Sequence, residues 1–173
     1  MVEKEAAREK EAEVPRINFY EANMAQIKDR NKRMARGRRV IKGSAIPWEQ
    51  GRQGLVRWYL NDLITDTAND RWTMFTHEIR VHSGKHVHQG GLTIFVLGGK
   101  GYTTVDDVRF DWSAGDLICL PIKKGGVVHQ HFNLDGKPSR WLAIINNRII
   151  EFAGRFLEQK VESPDWVKMQ KKK

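Results

Sequence analysis

Cysteine, proline and long apolar runs are all scarce in this chain. Cys119 is the one cysteine among 173 residues, so no internal disulfide can form, and a reducing cytoplasm is the expected compartment. Apolar runs such as Leu142 to Ile145 fall far short of the roughly 18 residues that a membrane span needs, so no membrane partner is expected. Glu3, Glu5, Glu9, Glu11 and Glu13 crowd the first residues, which is not how a secretory or transit peptide reads. No internal repeat is present, which argues for one unit and against two in tandem.

The formal charge of +9 is unevenly spread. Residues 1–50 carry 12 Lys and Arg against 8 Asp and Glu, and residues 168–173 carry 4 against none, leaving 14 against 13 between them. A near-neutral body with basic ends is expected, the excess concentrated at Lys28, Arg30, Lys32, Arg33, Arg36, Arg38, Arg39 and Lys42. Aromatic side chains that could stack on bases are not interleaved in that run, so nucleic acid is not the expected partner; a solvated surface or a subunit contact is.

Three regions follow from texture: a charged extension over 1–45, a β-rich body over 46–146, and a C-terminal helix with a basic tail over 147–173. Met1 to Glu13 has little to bury. A helix is expected from about Glu21 to Arg36, with Met24, Ile27 and Met34 as a thin apolar stripe and Gly37 as its stop. From Ile46 onward, short alternating runs are cut by Gly98-Gly99, Asp106-Asp107, Ala114-Gly115, Gly125-Gly126 and Leu134-Asp135-Gly136, predicting about eight antiparallel strands closed into an all-β barrel. Helical spacing returns over Ile149 to Glu158. Cys119 alternates with apolar residues and is expected to be an inert packing residue.

All 6 histidines lie between His77 and His131. His86/His88 and His129/His131 are spaced i,i+2, and alternate side chains of a strand share a face, so each pair presents two imidazoles to one side. If their strands are neighbours, three or four nitrogens converge on one point. Such donors suit Fe, Zn, Cu, Ni or Mn.

The order of residues resembles the cupin superfamily. Its first motif reads here Gly84-Lys85-His86-Val87-His88, then Leu92 and Gly98; its second reads Gly115, Pro121, Gly126, His129 and Asn133. The resemblance implies a cupin-type β-barrel, a double-stranded β-helix, with an N-terminal helical extension and a short C-terminal helix. Where many cupins carry a ligand glutamate this chain has Leu92, and His129-Gln130-His131-Phe132-Asn133 resembles gentisate and salicylate ring-cleaving dioxygenases, which also lack the glutamate but carry two such domains in about twice the length. That likeness implies His86, His88 and His129 as ligands of a divalent metal, Fe(II) first with Mn, Ni, Zn or Cu open, and His131 as a catalytic residue facing substrate or dioxygen. His82, Arg80 and Asn133 are candidate substrate-binding residues, with Arg109 and Arg148 as further arginines for a substrate carboxylate. The expected partners are a small-molecule substrate and a second copy of the chain, as a dimer.

Overall fold

The structure, a computed structural model, describes residues 16–172. The lead-in Met1–Glu13 lies outside the described residues. Helix α1 (Phe19–Arg36) opens the described chain; Asn18 caps it by accepting from the Glu21 amide, and Arg33 and Arg36 sit favourably in its last turn. Gly37 ends it, as expected, and no residue of α1 is buried. Arg33 ties its C-terminal half to the barrel, donating to the carbonyls of Ile64 at 2.7 Å and Thr67 at 2.8 Å.

After a single 3₁₀ turn at Gly43–Ala45 come β1 (Glu49–Gly51), β2 (Gly54–Leu60), β3 (Trp72–Ile79), β4 (Lys85–His88), β5 (Leu92–Gly98), β6 (Lys100–Val105), β7 (Val108–Ser113), β8 (Leu117–Leu120), β9 (Val127–Asn133) and β10 (Ser139–Asn146). Next follow α2 (Asn147–Phe152), β11 (Leu157–Val161) and α3 (Pro164–Gln170). One sheet runs β1-β2-β3-β10-β5-β8 and the other β11-β4-β9-β6-β7, with every strand pair antiparallel. Two-residue turning at Asp106-Asp107, both with positive φ (49° and 69°), joins β6 to β7; aspartate tolerates that left-handed region better than most side chains.

The inner face of the larger sheet supplies most of the core: Val56, Phe75, Ile79, Leu92, Ile94, Trp141 and Ala143, closed by Leu120 and Val127. Register explains the selection. Trp141 lies opposite His77 and Val96, and Ala143 opposite Phe75 and Ile94, so large and small side chains alternate across the layer. Among the described residues, no helix is long and apolar enough to cross a membrane.

Two expectations need correction. Helical spacing over Ile149 to Glu158 does not yield one helix: α2 stops at Phe152, Gly154 takes a φ of 92°, and the chain returns as β11 along β4, so the sheet extends beyond residue 146. Ser163 then precedes α3 and Pro164 starts it, with proline where its missing N–H costs nothing. Cys119 is exposed, because β8 is an edge strand and Cys119 points outward from it beside Leu117.

Candidate metal centre

β4 and β9 are neighbours, and His86 lies directly opposite His129. The two i,i+2 pairs therefore share one face. Ring centroids are 4.2 Å apart for His86 and His129, 4.6 Å for His88 and His129, and 5.2 Å for His86 and His88. One nitrogen from each of these three histidines lies within 4.8 Å of the others, a spacing that one ion with bonds of about 2 Å can bridge.

Backbone carbonyls decide which nitrogen is free. Nδ1 of His86 lies 3.1 Å from the Gly84 carbonyl, Nδ1 of His88 lies 2.7 Å from that of Gln89, and Nδ1 of His129 lies 3.1 Å from that of Val127. A carbonyl only accepts, so each Nδ1 keeps its proton and donates, and each Nε2 presents a lone pair. Burial and neighbouring imidazoles hold the rings neutral: His86 is pushed down to about 4, by desolvation first and His88 second. His88 is lowered by desolvation, and His129 falls well below the ordinary range by desolvation and then the charges of His86, His131 and His88. Neutral imidazoles are what a cation requires.

His131 differs. Only 1% exposed, it packs between His129, at 5.5 Å, and Trp141, at 4.8 Å. Its Nδ1 meets the Thr103 hydroxyl at 2.7 Å, and Trp112 Nε1 donates to that same hydroxyl at 2.9 Å. The hydroxyl satisfies both neighbours by accepting from Trp112 and giving its own proton to Nδ1, the arrangement in which the histidine's proton sits on Nε2. His131 then offers an N–H, and the other three offer lone pairs. Thr103 and Trp112 are site residues that sequence reasoning missed; nothing in their spacing distinguishes them from ordinary strand residues.

A cavity of about 310 Å³ opens beside His88. Its walls are mainly carbon, from Trp58, Phe75, Leu92, Ile145, Phe156 and Leu157. Leu92, at the place of the expected glutamate, faces this space, and among the described residues no acidic side chain joins the three histidines. Gln89, next after β4, ties the β8–β9 loop and the end of α2 to that strand: its side chain donates to the carbonyls of Lys123 and Ala153 and accepts from the Lys123 amide.

The expected substrate residues are not brought to this cavity. Arg80 is exposed and pairs with Glu78 at 3.4 Å and Asp165 at 3.8 Å. His82 lines a separate shallow recess with it, its Nδ1 near Gln130 and the Ser83 carbonyl. Asn133 is occupied with the turn before β10, donating to the carbonyls of Arg80, Asp135 and Lys137 and accepting from Ser139. Arg109 pairs with Asp111 and stacks on Tyr102, and Arg148 is exposed on α2. The arginine that does line the cavity is Arg155, ion-paired with Asp62 at 2.6 Å; Asn147 also donates to Asp62.

Residues 75–145 match the family model described as "Cupin domain". A search of curated sequences returns no match. Among solved structures, the polyketide cyclase RemF from Streptomyces resistomycificus superposes with a TM-score of 0.56 at 17% identity, over 78% of this chain and 93% of that one. A Streptomyces PAC13 variant with uridine gives 0.53 at 10%, over 75% and 97%. Salicylate 1,2-dioxygenase from Pseudoaminobacter salicylatoxidans, in adducts with gentisate, gives 0.53 at 11%, over 79% of this chain but 36% of that one. At such identities the likeness is one of fold. The matched segment reaches from β3 into β10 of a two-sheet barrel, so residues 75–145 of the chain carry a cupin domain, in a fold like that of the solved cupins.

Proposed function

We propose that this cupin is a metal-dependent enzyme in which His86, His88 and His129 hold one divalent ion, Fe(II) by preference, for the dioxygen-dependent oxidation of a small aromatic or otherwise chelating acid. The convergence of three Nε2 lone pairs beside a carbon-walled cavity carries this reading. Three neutral imidazoles leave the ion its full +2 charge, so the site favours an anion that binds through two oxygens. As iron(II), the ion supplies a chelation point and electrons for dioxygen.

The chain's own residues supply shape and polarity. Trp58, Phe75 and Leu92 give a flat ring carbon to pack against and keep water out, while Asn147 and Arg155 place polar groups among the carbon walls. His131, with its proton on Nε2, is a donor for developing negative charge near His129. The salicylate 1,2-dioxygenase adduct with gentisate supports a hydroxybenzoate as the first substrate class to try.

The test combines metal analysis after Fe(II) loading with oxygen uptake on a panel of hydroxybenzoates and catechols. Stoichiometric loading, lost on His86→Ala and on His129→Ala, together with oxygen uptake is the expected result. Substrate loss without oxygen uptake would replace oxidation by a metal-assisted isomerase, lyase or decarboxylase; tight binding without product would make the protein a ligand-binding cupin. Full metal content in both alanine variants would sink the site itself.

A further inference from the structure

The cavity beside His88 holds one permanent charge, and that charge is already paired. His88 and Arg155 are the ionisable residues among its walls. Arg155 gives an Nη1 hydrogen to Asp62 at 2.6 Å, and Asn147 gives an Nδ2 hydrogen to the other oxygen of the same carboxylate. The guanidinium is thereby neutralised before any ligand arrives. A substrate carboxylate that sought an arginine here would have to compete with Asp62.

Two polar side chains more than nine-tenths buried reach the same walls. Asn147 is 6% exposed; a carboxylate only accepts, so the amide nitrogen must face Asp62, and the amide oxygen is left over. Thr73 is 8% exposed, and its hydroxyl makes no hydrogen bond among the described residues. Both belong to the same end of the β3–β10 pair: Thr73 lies opposite Ile145, and the Asn147 backbone N–H donates to the Arg71 carbonyl at 3.0 Å. An amide oxygen that accepts and a hydroxyl that can turn either way suit a neutral O–H group and offer nothing to a second anion.

We propose that Asp62, Asn147 and Thr73 make the cavity selective for a substrate with a single anionic group and a neutral hydroxyl further along its ring, a hydroxylated monocarboxylate in preference to a dicarboxylate. The inference rests on the metal reading above for what holds the first carboxylate. A second carboxylate would lose its water among carbon walls and come to rest beside that of Asp62, like charge against like. If Arg155 swung over to it, Asp62 would keep Asn147 alone, so one ion pair would be exchanged for another with nothing gained. A hydroxyl escapes both costs: it gives its proton to the Asn147 amide oxygen and accepts from Thr73 without bringing charge. Asn147 and Thr73 meet the substrate, whereas Asp62 is a positioning residue that acts through Asn147 and Arg155.

Calorimetric titration of the full chain tests this, on protein loaded with Zn(II), which holds such ligands without oxidising them. The probes are salicylate and its derivatives with either a hydroxyl or a carboxylate at ring position 4 or 5. Wild type is expected to bind the better hydroxyl derivative at least about 10-fold more tightly than either dicarboxylate. Asp62→Asn keeps the shape and an oxygen for Asn147 but frees the Arg155 charge, and is expected to move that ratio at least about 10-fold toward the dicarboxylates. Thr73→Val, nearly equal in volume, is expected to reduce the hydroxyl's advantage over salicylate. Circular dichroism follows the fold of both variants. A dicarboxylate preferred by wild type, a ratio that Asp62→Asn does not move, a hydroxyl advantage intact in Thr73→Val, or no binding of any probe to protein carrying one Zn(II) would overturn the proposal. Protein that takes up no Zn(II) would fail the metal reading instead; the same titrations on the metal-free chain then decide the charge preference, with the same outcomes overturning it.

Discussion

Mild acid should unfold the metal-free protein through buried imidazoles. Desolvation and the neighbouring charge of His86 push His77 down to about 3, and desolvation with the charge of His88 pushes His86 to about 4, against about 6.5 for a free ring. Between about pH 6.5 and those folded values the unfolded chain binds the extra protons, so stability falls as pH falls; above about pH 7 the effect is gone. At pH 5 a free imidazole gains about 2 kcal/mol from protonation while a buried neutral one gains almost nothing, so the pair costs about 4 kcal/mol. His129 and His131, lowered by the same burial, act in the same direction. Against a typical total of about 5–15 kcal/mol this is a large share. His77 separates the effect from metal binding: it lies outside the triad, its Nε2 has no partner, and it packs on Trp141. Urea unfolding at pH 7.5 and 5.0, without metal, should show the loss in wild type and about 2 kcal/mol less of it in His77→Leu. If the variant keeps the whole pH dependence, or if stability rises on acidification, burial of neutral histidine is not what governs it.

Two further substitutions probe the cavity. Gly126 has a φ of 79°, and a methyl group there would meet the Phe156 ring and come within 2.8 Å of the His88 carbonyl oxygen; Gly126→Ala should cost about 1–3 kcal/mol in urea unfolding and lower metal affinity with it. Leu92→Glu puts a carboxylate into a space walled by carbon, so the metal-free variant should lose several kcal/mol. A divalent ion should restore much of that loss, read as a larger metal-induced rise in Tm than in wild type.

The site was more legible than its surroundings, for a physical reason. Histidines at i,i+2 point the same way on any strand, so two pairs needed only neighbouring strands to converge, and β4 and β9 provide that. Strand limits were equally readable where turn residues bracket alternating runs, as at Gly54–Leu60 and Val127–Asn133. What failed depended on distant contacts. Phe156 and Leu157 fit a helical stripe as well as a strand, and only the open edge of β4 selects the strand. Cys119 alternates like a buried residue because its strand does bury one side; which side follows from sheet order, which no local pattern carries. Arg80, Arg109, Arg148 and Arg155 are chemically alike until the fold shows that Arg155 is the one that meets the cavity.

Strand β11 has a consequence for how the molecule is made. His86 and His88 sit on a strand whose second neighbour is contributed by residues 157–161. During synthesis the ribosome releases that neighbour late, after both histidine pairs have already emerged, so the nascent barrel waits with one flank of its chelating strand unzipped. Any shortened version ending before residue 157 would freeze the polypeptide at that stage, with a sticky margin on the strand that carries two of the three clustered histidines.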